Sequence, residues 1–393
     1  MDAPVGLVEV GEPADPKVLA EAQLPPEAAA LFRRWDGIEL SGGEAKLYSL
    51  IEQTDVSAQA RAAGILRQGD RVVGQYGLAL LVLPADPWEE GGDVVIVEED
   101  GERSPYASSV VRLTLGLLAE LSVLHDEEGE YRDELFGDDG QLTPRAERRL
   151  LRRRLDHDED APFPRFRLGQ LLRRARELRA ARTELRRVIR CAPEFAWAHW
   201  ELGRVTLELA EQPEAAGKPK PSAAHTAEIR PAEARQEARE SFAAAADKAG
   251  DPHLRALFLA WQIRAVDDQA QRERLAAEIK RLDPGFVAAR EAGLREAIDD
   301  QDGARARELL ALGLAVEPRS LALLELRETV AKLPELVQAE PEVIEEVAEA
   351  MDLPDHDDAR HRSAPPRPVA EPRTKSQKKR RHGGSKRSAN KRR

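Results

Sequence analysis

The sequence predicts an α+β N-terminal domain, a short mixed or antiparallel sheet with flanking helices, followed by an all-α array of helical hairpins and a disordered C-terminal tail. Three observations support this fold class. β-rich runs occur only before about residue 135. Small and apolar residues then recur at a step of 34 residues. Residues 359–393 hold fourteen Lys or Arg against one acid, and such a composition cannot form a core.

The N-terminal domain begins with a candidate strand at residues 5–10 and a helix opened by Pro25-Pro26, since proline is tolerated in the first helical turn. Apolar residues in that helix recur at spacings of three and four, and Asp36-Gly37 then forms a turn. These apolar residues are Leu24, Ala28, Leu31, Phe32 and Trp35.

A meander of short strands is predicted next, because three β-rich runs are separated by turn residues. The runs are residues 46–51, 72–83 (broken by Gly74 and Gly77) and 94–98. Helical spacing returns at residues 110–124. There Val111, Leu115, Leu118 and Leu121 fall on one face of the predicted helix.

The second half of the chain has a period. Leu168-Gly169 recurs as Leu202-Gly203, and Leu282-Asp283-Pro284 recurs as Val316-Glu317-Pro318, each after 34 residues. From Pro193 to Pro284 the interval is 91 residues, two periods plus 23. A proline-rich insertion at about residues 211–232 accounts for the excess.

Within each period, glycine or alanine allows two helices to approach closely, and proline ends the second helix. The expected packing residues are Leu168, Gly169, Ala181, Pro193, Leu202, Gly203, Phe242, Pro284 and Pro318. A bundle of non-repeating hairpins is the alternative. The period and these residues resemble the tetratricopeptide repeat over about residues 162–320, which implies about four stacked hairpins with a concave side.

The N-terminal domain carries several short motifs. They are Leu24-Pro25 before the first helix, Trp35-Asp36-Gly37 after it, Gly74 and Gly77 around a turn, and Ser108 before the last helix. Together they resemble the SUKH superfamily of the Smi/Knr type over about residues 20–122. The resemblance implies a protein partner, because that superfamily includes immunity proteins that neutralise toxins and regulatory scaffolds. Gln75-Tyr76 replaces the acidic, glycine-rich turn common in the family, so no partner-contact residue is carried over.

The predicted organisation has six segments. They are an N-terminal extension (1–19), the SUKH-like domain (20–140), an Arg-rich helical linker (141–161), tetratricopeptide-like repeats (162–333), an acidic segment (334–358) and the basic tail (359–393). The basic tail carries a net charge of +13. Because the whole chain carries −12, residues 1–358 carry −25.

One cysteine, Cys191, excludes an internal disulfide and fits a reducing compartment. With no apolar run of about 18 residues and no signal-peptide pattern at the start, we expect a cytoplasmic protein.

Enzyme and cofactor chemistry is not expected, because the sequence lacks a phosphate-binding loop, a dinucleotide fingerprint, a nucleophile elbow and a zinc-protease motif. Two His-led acidic runs, at 125–128 and 157–160, fit solvated charge better than metal ligation. Arg187 and Arg190 could depress the pKa of Cys191, although an incidental thiol is the favoured interpretation.

Arginines crowd residues 145–190 and either form a solvated face or attract acidic peptides and phosphates. The paired-asparagine clamp known from tetratricopeptide domains cannot be built, since Asn390 is the only asparagine. A groove ligand would be held by arginines and by Trp197, Trp200 and Trp261, although such aromatic residues more often belong to the core.

The tail is a candidate polyanion-binding segment, because flexible basic residues gain affinity by releasing counterions. Its candidate residues are Lys375, Lys378, Lys379, Arg380, Arg381, Lys386, Arg387, Lys391, Arg392 and Arg393. A solubilising role, or pairing with the acidic segment, is the alternative. The sequence as a whole predicts a non-catalytic protein-interaction protein (scaffold, regulator or immunity-type binder), with an RNA-, DNA- or ribosome-associated factor as the second hypothesis.

Overall fold

The computed structural model describes residues 6–86, 93–211 and 230–334, which belong to one compact unit, Met1–Leu336. Several predicted features lie outside the described residues. They are most of the insertion (212–229), the acidic segment from residue 335 and the whole basic tail with its candidate polyanion-binding residues.

The N-terminal part is a seven-stranded antiparallel sheet in which each strand pairs with the next one along the chain, confirming the predicted meander. The strands are β1 (Val8–Val10), β2 (Ile38–Leu40), β3 (Ala45–Leu47), β4 (Arg71–Tyr76), β5 (Ala79–Leu83), β6 (Val94–Val97) and β7 (Arg103–Ala107). The helices are α1 (Pro16–Glu21), α2 (Pro26–Phe32), α3 (Leu50–Ala62) and α4 (Val110–Leu124). Helices α2 and α4 pack on one face of the sheet and α3 on the other.

The predicted strand over residues 46–51 was wrong in its second half. β3 ends at Leu47, and Ser49 caps α3. The Ser49 hydroxyl accepts a hydrogen bond from the Glu52 backbone N–H (3.3 Å), and the Glu52 carboxylate accepts one from the Ser49 N–H (2.9 Å). This reciprocal capping satisfies two N–H groups that the first helical turn leaves unpaired, so the chain turns into a helix at Leu50.

The predicted apolar face of α4 is buried only in part. Leu121 is buried together with Val110, Leu113 and Leu117, whereas Leu115 is 38% exposed. One side of α4 lies on the sheet, and a neighbouring side packs against the following helix, where Val123 and Leu150 belong to one apolar cluster. A helix that is apolar around most of its circumference does not reveal from spacing alone which residues face outward.

In the described residues after the sheet, ten helices form a repeat-like array, in agreement with the predicted tetratricopeptide-like solenoid. They are α5 (Pro144–His157), α6 (Pro162–Arg174), α7 (Leu178–Cys191), α8 (Ala196–Glu211), α9 (Pro231–Lys248), α10 (Pro252–Ala265), α11 (Gln269–Leu282), α12 (Phe286–Asp299), α13 (Gly303–Val316) and α14 (Leu321–Lys332). Helices α6 to α13 form four hairpins, and α14 packs on the last. Helix α8 ends at Glu211 and α9 begins at Pro231, whereas the turns within the other hairpins are short.

The fourth hairpin, α12–α13, stacks differently from the others. Between the first three hairpins, the second helix of one packs against the leading helix of the next. The fourth hairpin instead contacts the third mainly through its own second helix, α13, which packs on α10. Leu312 and Val316 of α13 enter the same apolar cluster as Phe258 and Ile263 of α10. Helix α13 therefore covers part of the surface formed by the leading helices.

The sheet and the array are joined by buried polar contacts. Asp158, at the end of α5, accepts hydrogen bonds from the backbone N–H (2.9 Å) and the hydroxyl (2.6 Å) of Ser108 before α4. Arg154 of α5 pairs with Glu120 of α4 and lies 5.3 Å from the ring centroid of Tyr106. Burial raises the pKa of Tyr106 to about 12. Helix α5, predicted as a linker, is thus packed between the two parts.

Candidate protein-interaction surface

The leading helices α6, α8 and α10 share a surface that we call the inner face, defined by Arg173, Arg204 and Trp261. The Arg204 guanidinium lies against two indole rings, 4.6 Å from the centroid of Trp200 and 4.9 Å from that of Trp261. Arg264 stacks on Trp261 at 4.6 Å. A guanidinium held against the face of an aromatic ring is attracted by the ring quadrupole, so these side chains form one interlocked cluster.

Buried carboxylates neutralise this cluster. Glu201 is fully buried and accepts a hydrogen bond from Arg173 Nε (2.5 Å), while Glu208 accepts one from Arg173 Nη1 (3.0 Å). Burial disfavours the charged form of Arg173, but the two carboxylates outweigh it and raise the pKa of Arg173 above its ordinary value. Charges removed from water persist when they are paired in this way.

Other parts of the chain approach the inner face from two sides. The indole N–H of Trp197 donates to Glu102, in the turn between β6 and β7 (3.0 Å). Arg204 donates to Glu308 of α13 (2.8 Å). The inner face is therefore largely occupied by the protein itself, which confirms the interpretation of Trp261 (5% exposed) as a core residue.

An open groove remains next to this cluster, and we call it the α11–α13 groove. Its volume is about 870 Å³. Ala276 of α11 and Ala315 of α13 contribute to its lining, together with four cations, Arg264, Arg272, Lys280 and Arg319. Its carboxylates are Glu273 and Glu317. The different stacking of the fourth hairpin creates this groove, because it brings the end of α13 beside α11.

Two of the predicted packing residues of the repeats, Gly169 and Gly203, lie where the two helices of a hairpin cross. A Cβ added to Gly169 would lie 2.8 Å from Leu185, and one added to Gly203 would lie 2.6 Å from Phe242. Both distances are shorter than real side-chain contacts, so each glycine is required by the close approach of its two helices. Leu168, Ala181, Leu202 and Phe242 are buried, whereas Pro193, Pro284 and Pro318 lie in exposed corners between hairpins.

The motif residues of the N-terminal domain have structural partners. Asp36 accepts a hydrogen bond from the backbone N–H of Leu50 (2.7 Å), and Gly37 adopts a φ of +107°. A Cβ on Gly74 would lie 2.1 Å from the Lys46 carbonyl oxygen, so β3 and β4 need glycine there. Leu24 and Trp35 pack against the sheet core, Pro25 precedes α2, and Gly77 turns the β4–β5 hairpin.

The arginines of residues 145–190 are extensively paired, which supports a structural role for many of them. Arg148 pairs with Glu177 and Arg167 with Glu147, in addition to the pairs of Arg154 and Arg173. The proposed depression of the Cys191 pKa was wrong, since burial and Asp160 raise that pKa. Among the described residues no group of His, Cys, Asp and Glu could hold a metal ion.

Sequence reasoning missed the roles of Arg204 and Glu308 and the cations of the groove. Each lies on a charged helix where many equivalent residues are solvated, and the period indicates the hairpins but not the side chains that meet across them. The one available signal was Arg204 following Trp200 by four residues, a spacing that places both on the same helix face.

No protein-family description and no curated protein matches the sequence. Solved structures that align with it include one titled "MamA RS-1 ArsTM double mutant" (18% identity, 45% of this chain and 86% of that chain, TM-score 0.26). Another is titled "Crystal structure of YrrB: a TPR protein with an unusual peptide-binding site" (15% identity, 45% of this chain and 97% of that chain, TM-score 0.20). Within the part of the chain that the structure describes, no helix has the length and apolarity needed to cross a membrane.

Proposed function

We propose that this chain is a non-catalytic protein-interaction protein that binds a partner on its helical array. The observation that carries the proposal is the α11–α13 groove, an open volume of about 870 Å³ lined by short apolar residues and cations. Binding pockets for specific ligands commonly measure about 300–1,000 Å³ and combine apolar area with a few placed polar groups. The groove has both properties.

The proposal also includes the N-terminal domain. A SUKH-like domain at about residues 20–140 would add a second partner surface to repeats at about 162–333, as in a scaffold, regulator or immunity-type binder. The structural roles of Asp36, Gly37 and Gly74 support the motif positions on which that resemblance depends. Because α4, α5 and α6 pack together, partner binding at either surface would act on one compact body.

Crosslinking in the full-length protein tests this function. A photoreactive amino acid at Ala276, within the groove, should crosslink a defined partner in an extract of the source cells, and the same amino acid at Leu78, exposed in the β4–β5 turn, serves as a control. The captured protein, once purified, should bind the full-length chain stoichiometrically. No reproducible partner at Ala276, or a partner that shows no binding when purified, would overturn the proposal.

The alternative is a polyanion-binding factor, favoured by ten Lys or Arg without an acid from Lys375 to Arg393. Such binding would weaken steeply with salt, since its free energy comes from counterion release. Deleting residues 374–393 should then abolish binding of a 20-nucleotide RNA at low salt and leave crosslinking at Ala276 intact. Absence of salt-sensitive RNA or DNA binding by the full-length protein would exclude this alternative.

A further inference from the structure

We propose that the α11–α13 groove binds an acidic peptide segment of the partner, one that carries aliphatic side chains among its carboxylates. This inference rests on the proposed function and specifies the chemistry of the partner.

The cations of the groove are incompletely neutralised. Glu317 lies 3.7 Å from Lys280, and Glu273 accepts a hydrogen bond from Gln269 (2.9 Å). Among the described residues, Arg272 and Arg319 have no carboxylate within ion-pairing distance. The chain as a whole has more acids than bases (72 against 60), so a groove with four cations and two carboxylates is opposite in sign to the net charge of the chain. Such a local field attracts acidic ligands.

Two of these cations are held in fixed orientations. The Nε of Arg272 donates to the Val266 carbonyl (2.5 Å), which leaves its two terminal nitrogens available. The guanidinium of Arg264 lies against the Trp261 ring, with its nearest carboxylate, Glu211, at 4.0 Å. An oriented guanidinium loses little side-chain entropy when it binds a carboxylate, and it can do so through two parallel hydrogen bonds.

The floor of the groove favours a peptide over a nucleic acid. Ala276, Leu314 and Ala315 line the groove and are half-buried, and the small side chains of the two alanines leave room for the apolar side chains of a ligand. No aromatic residue lines the groove among those described, so it lacks the stacking platforms that bind nucleic-acid bases. Glu273 and Glu317 would moreover repel a phosphate backbone, whereas a peptide can place its carboxylates selectively beside the arginines.

The test is selection of a displayed library of random twelve-residue peptides on the full-length protein, followed by fluorescence anisotropy with the enriched sequences. We expect peptides with several Asp or Glu and at least two aliphatic residues. Their affinity should fall at least tenfold with Arg319→Glu, which reverses an exposed charge, and with Ala276→Trp, which fills the floor. Arg327→Glu, an equal charge change at an exposed position of α14, should alter affinity less than twofold. Replacing the peptide carboxylates with Gln, or its aliphatic residues with Ser, should also weaken binding at least tenfold.

Several outcomes would overturn the inference. They are enrichment of neutral or basic peptides, acidic peptides whose affinity is unchanged by both groove variants, a 20-base-pair DNA duplex that binds in an Arg319-dependent way, and no enrichment at all. None of these results affects crosslinking of a partner at Ala276, so the failure of this inference can be distinguished from failure of the proposed function.

Discussion

The guanidinium of Arg204 donates a 2.8 Å hydrogen bond to the carboxylate of Glu308, which lies 104 residues further along the chain. Arg204 belongs to the leading helix of the second hairpin and Glu308 to the second helix of the fourth. The bond therefore joins two hairpins that are not neighbours in the array. Because Arg204 also packs against two indole rings, its partner is attached to a well-packed part of the inner face.

We predict that this ion pair stabilises the fourth hairpin. Glu308→Gln should lower the free energy of unfolding by about 1 kcal/mol, less than for a buried charged pair because the Glu308 side chain is 35% exposed. Urea denaturation of Glu308→Gln, Arg204→Met and the double variant gives the coupling energy between the two residues. If the two single effects simply add, the proposed stabilisation is wrong.

The crossing glycines give a second prediction. Gly203→Ala should destabilise the protein by roughly 1–3 kcal/mol, because the new Cβ would overlap the Phe242 ring and force the hairpin apart. Thermal unfolding measures the change.

Gly116→Ala in α4 is the matched control for Gly203→Ala. Its Cβ would meet only Arg154 Cγ at 3.8 Å, an ordinary contact, so the better helix propensity of alanine should raise stability by up to about 1 kcal/mol. Equal effects of the two substitutions would contradict the close helix crossing at Gly203.

The close helix crossings at Gly169 and Gly203 could be predicted from the sequence, because two closely packed helices need a small residue at the same position of each repeat. Gly169 and Gly203 are each required by one contact, with Leu185 and Phe242 respectively. The two glycines are 34 residues apart, and their two partners are 57 residues apart, which is the period plus the excess of 23. The insertion was predictable for the same reason, since it interrupts a fixed interval. The requirement for close helix packing is therefore visible in the sequence as a recurring glycine.

Strand β7, the stacking of α13 and the groove depend on tertiary packing, which produces no recurring pattern in the sequence. β7 contains Pro105, which argues against a strand, yet β7 pairs only with β6 at the edge of the sheet and tolerates a missing N–H. The stacking of α13 on α10 follows from which apolar faces match in space. The groove depends on that stacking, so neither its position nor its cations could be predicted from the period.

The contact between Ser108 and Asp158 gives a third prediction. Asp158 is almost fully buried and accepts from both the N–H and the hydroxyl of Ser108, so Asp158→Ala should cost about 2–3 kcal/mol by leaving the Ser108 donors unsatisfied. Ser108→Ala removes only the hydroxyl and should cost about 1 kcal/mol. Hydrogen exchange should show reduced protection of the backbone amides in both α4 and α5. Reduced protection in only one of these helices would show that the contact does not couple them.

A fourth prediction concerns pH. His199 of α8 is half-buried, and burial lowers its pKa below the ordinary value of about 6.5, against the opposing effect of its hydrogen bond to the Pro193 carbonyl. Since the unfolded chain binds this proton more readily than the folded chain, acid favours unfolding. The contribution of His199 to stability should therefore be fully present above about pH 6.5 and decline as the pH falls towards the lowered pKa.

His253 provides the opposite case in the same molecule. It is exposed, and its hydrogen bond to Asp283 raises its pKa, so its contribution should be present at low pH and be lost as the pH rises through that raised value. Urea unfolding from pH 5 to 8 should show a flatter acid limb for His199→Gln than for the natural sequence. For His253→Gln, stability should fall less steeply than in the natural sequence as the pH rises above about 6.5. An acid limb that His199→Gln leaves unchanged would show that a different group controls acid unfolding.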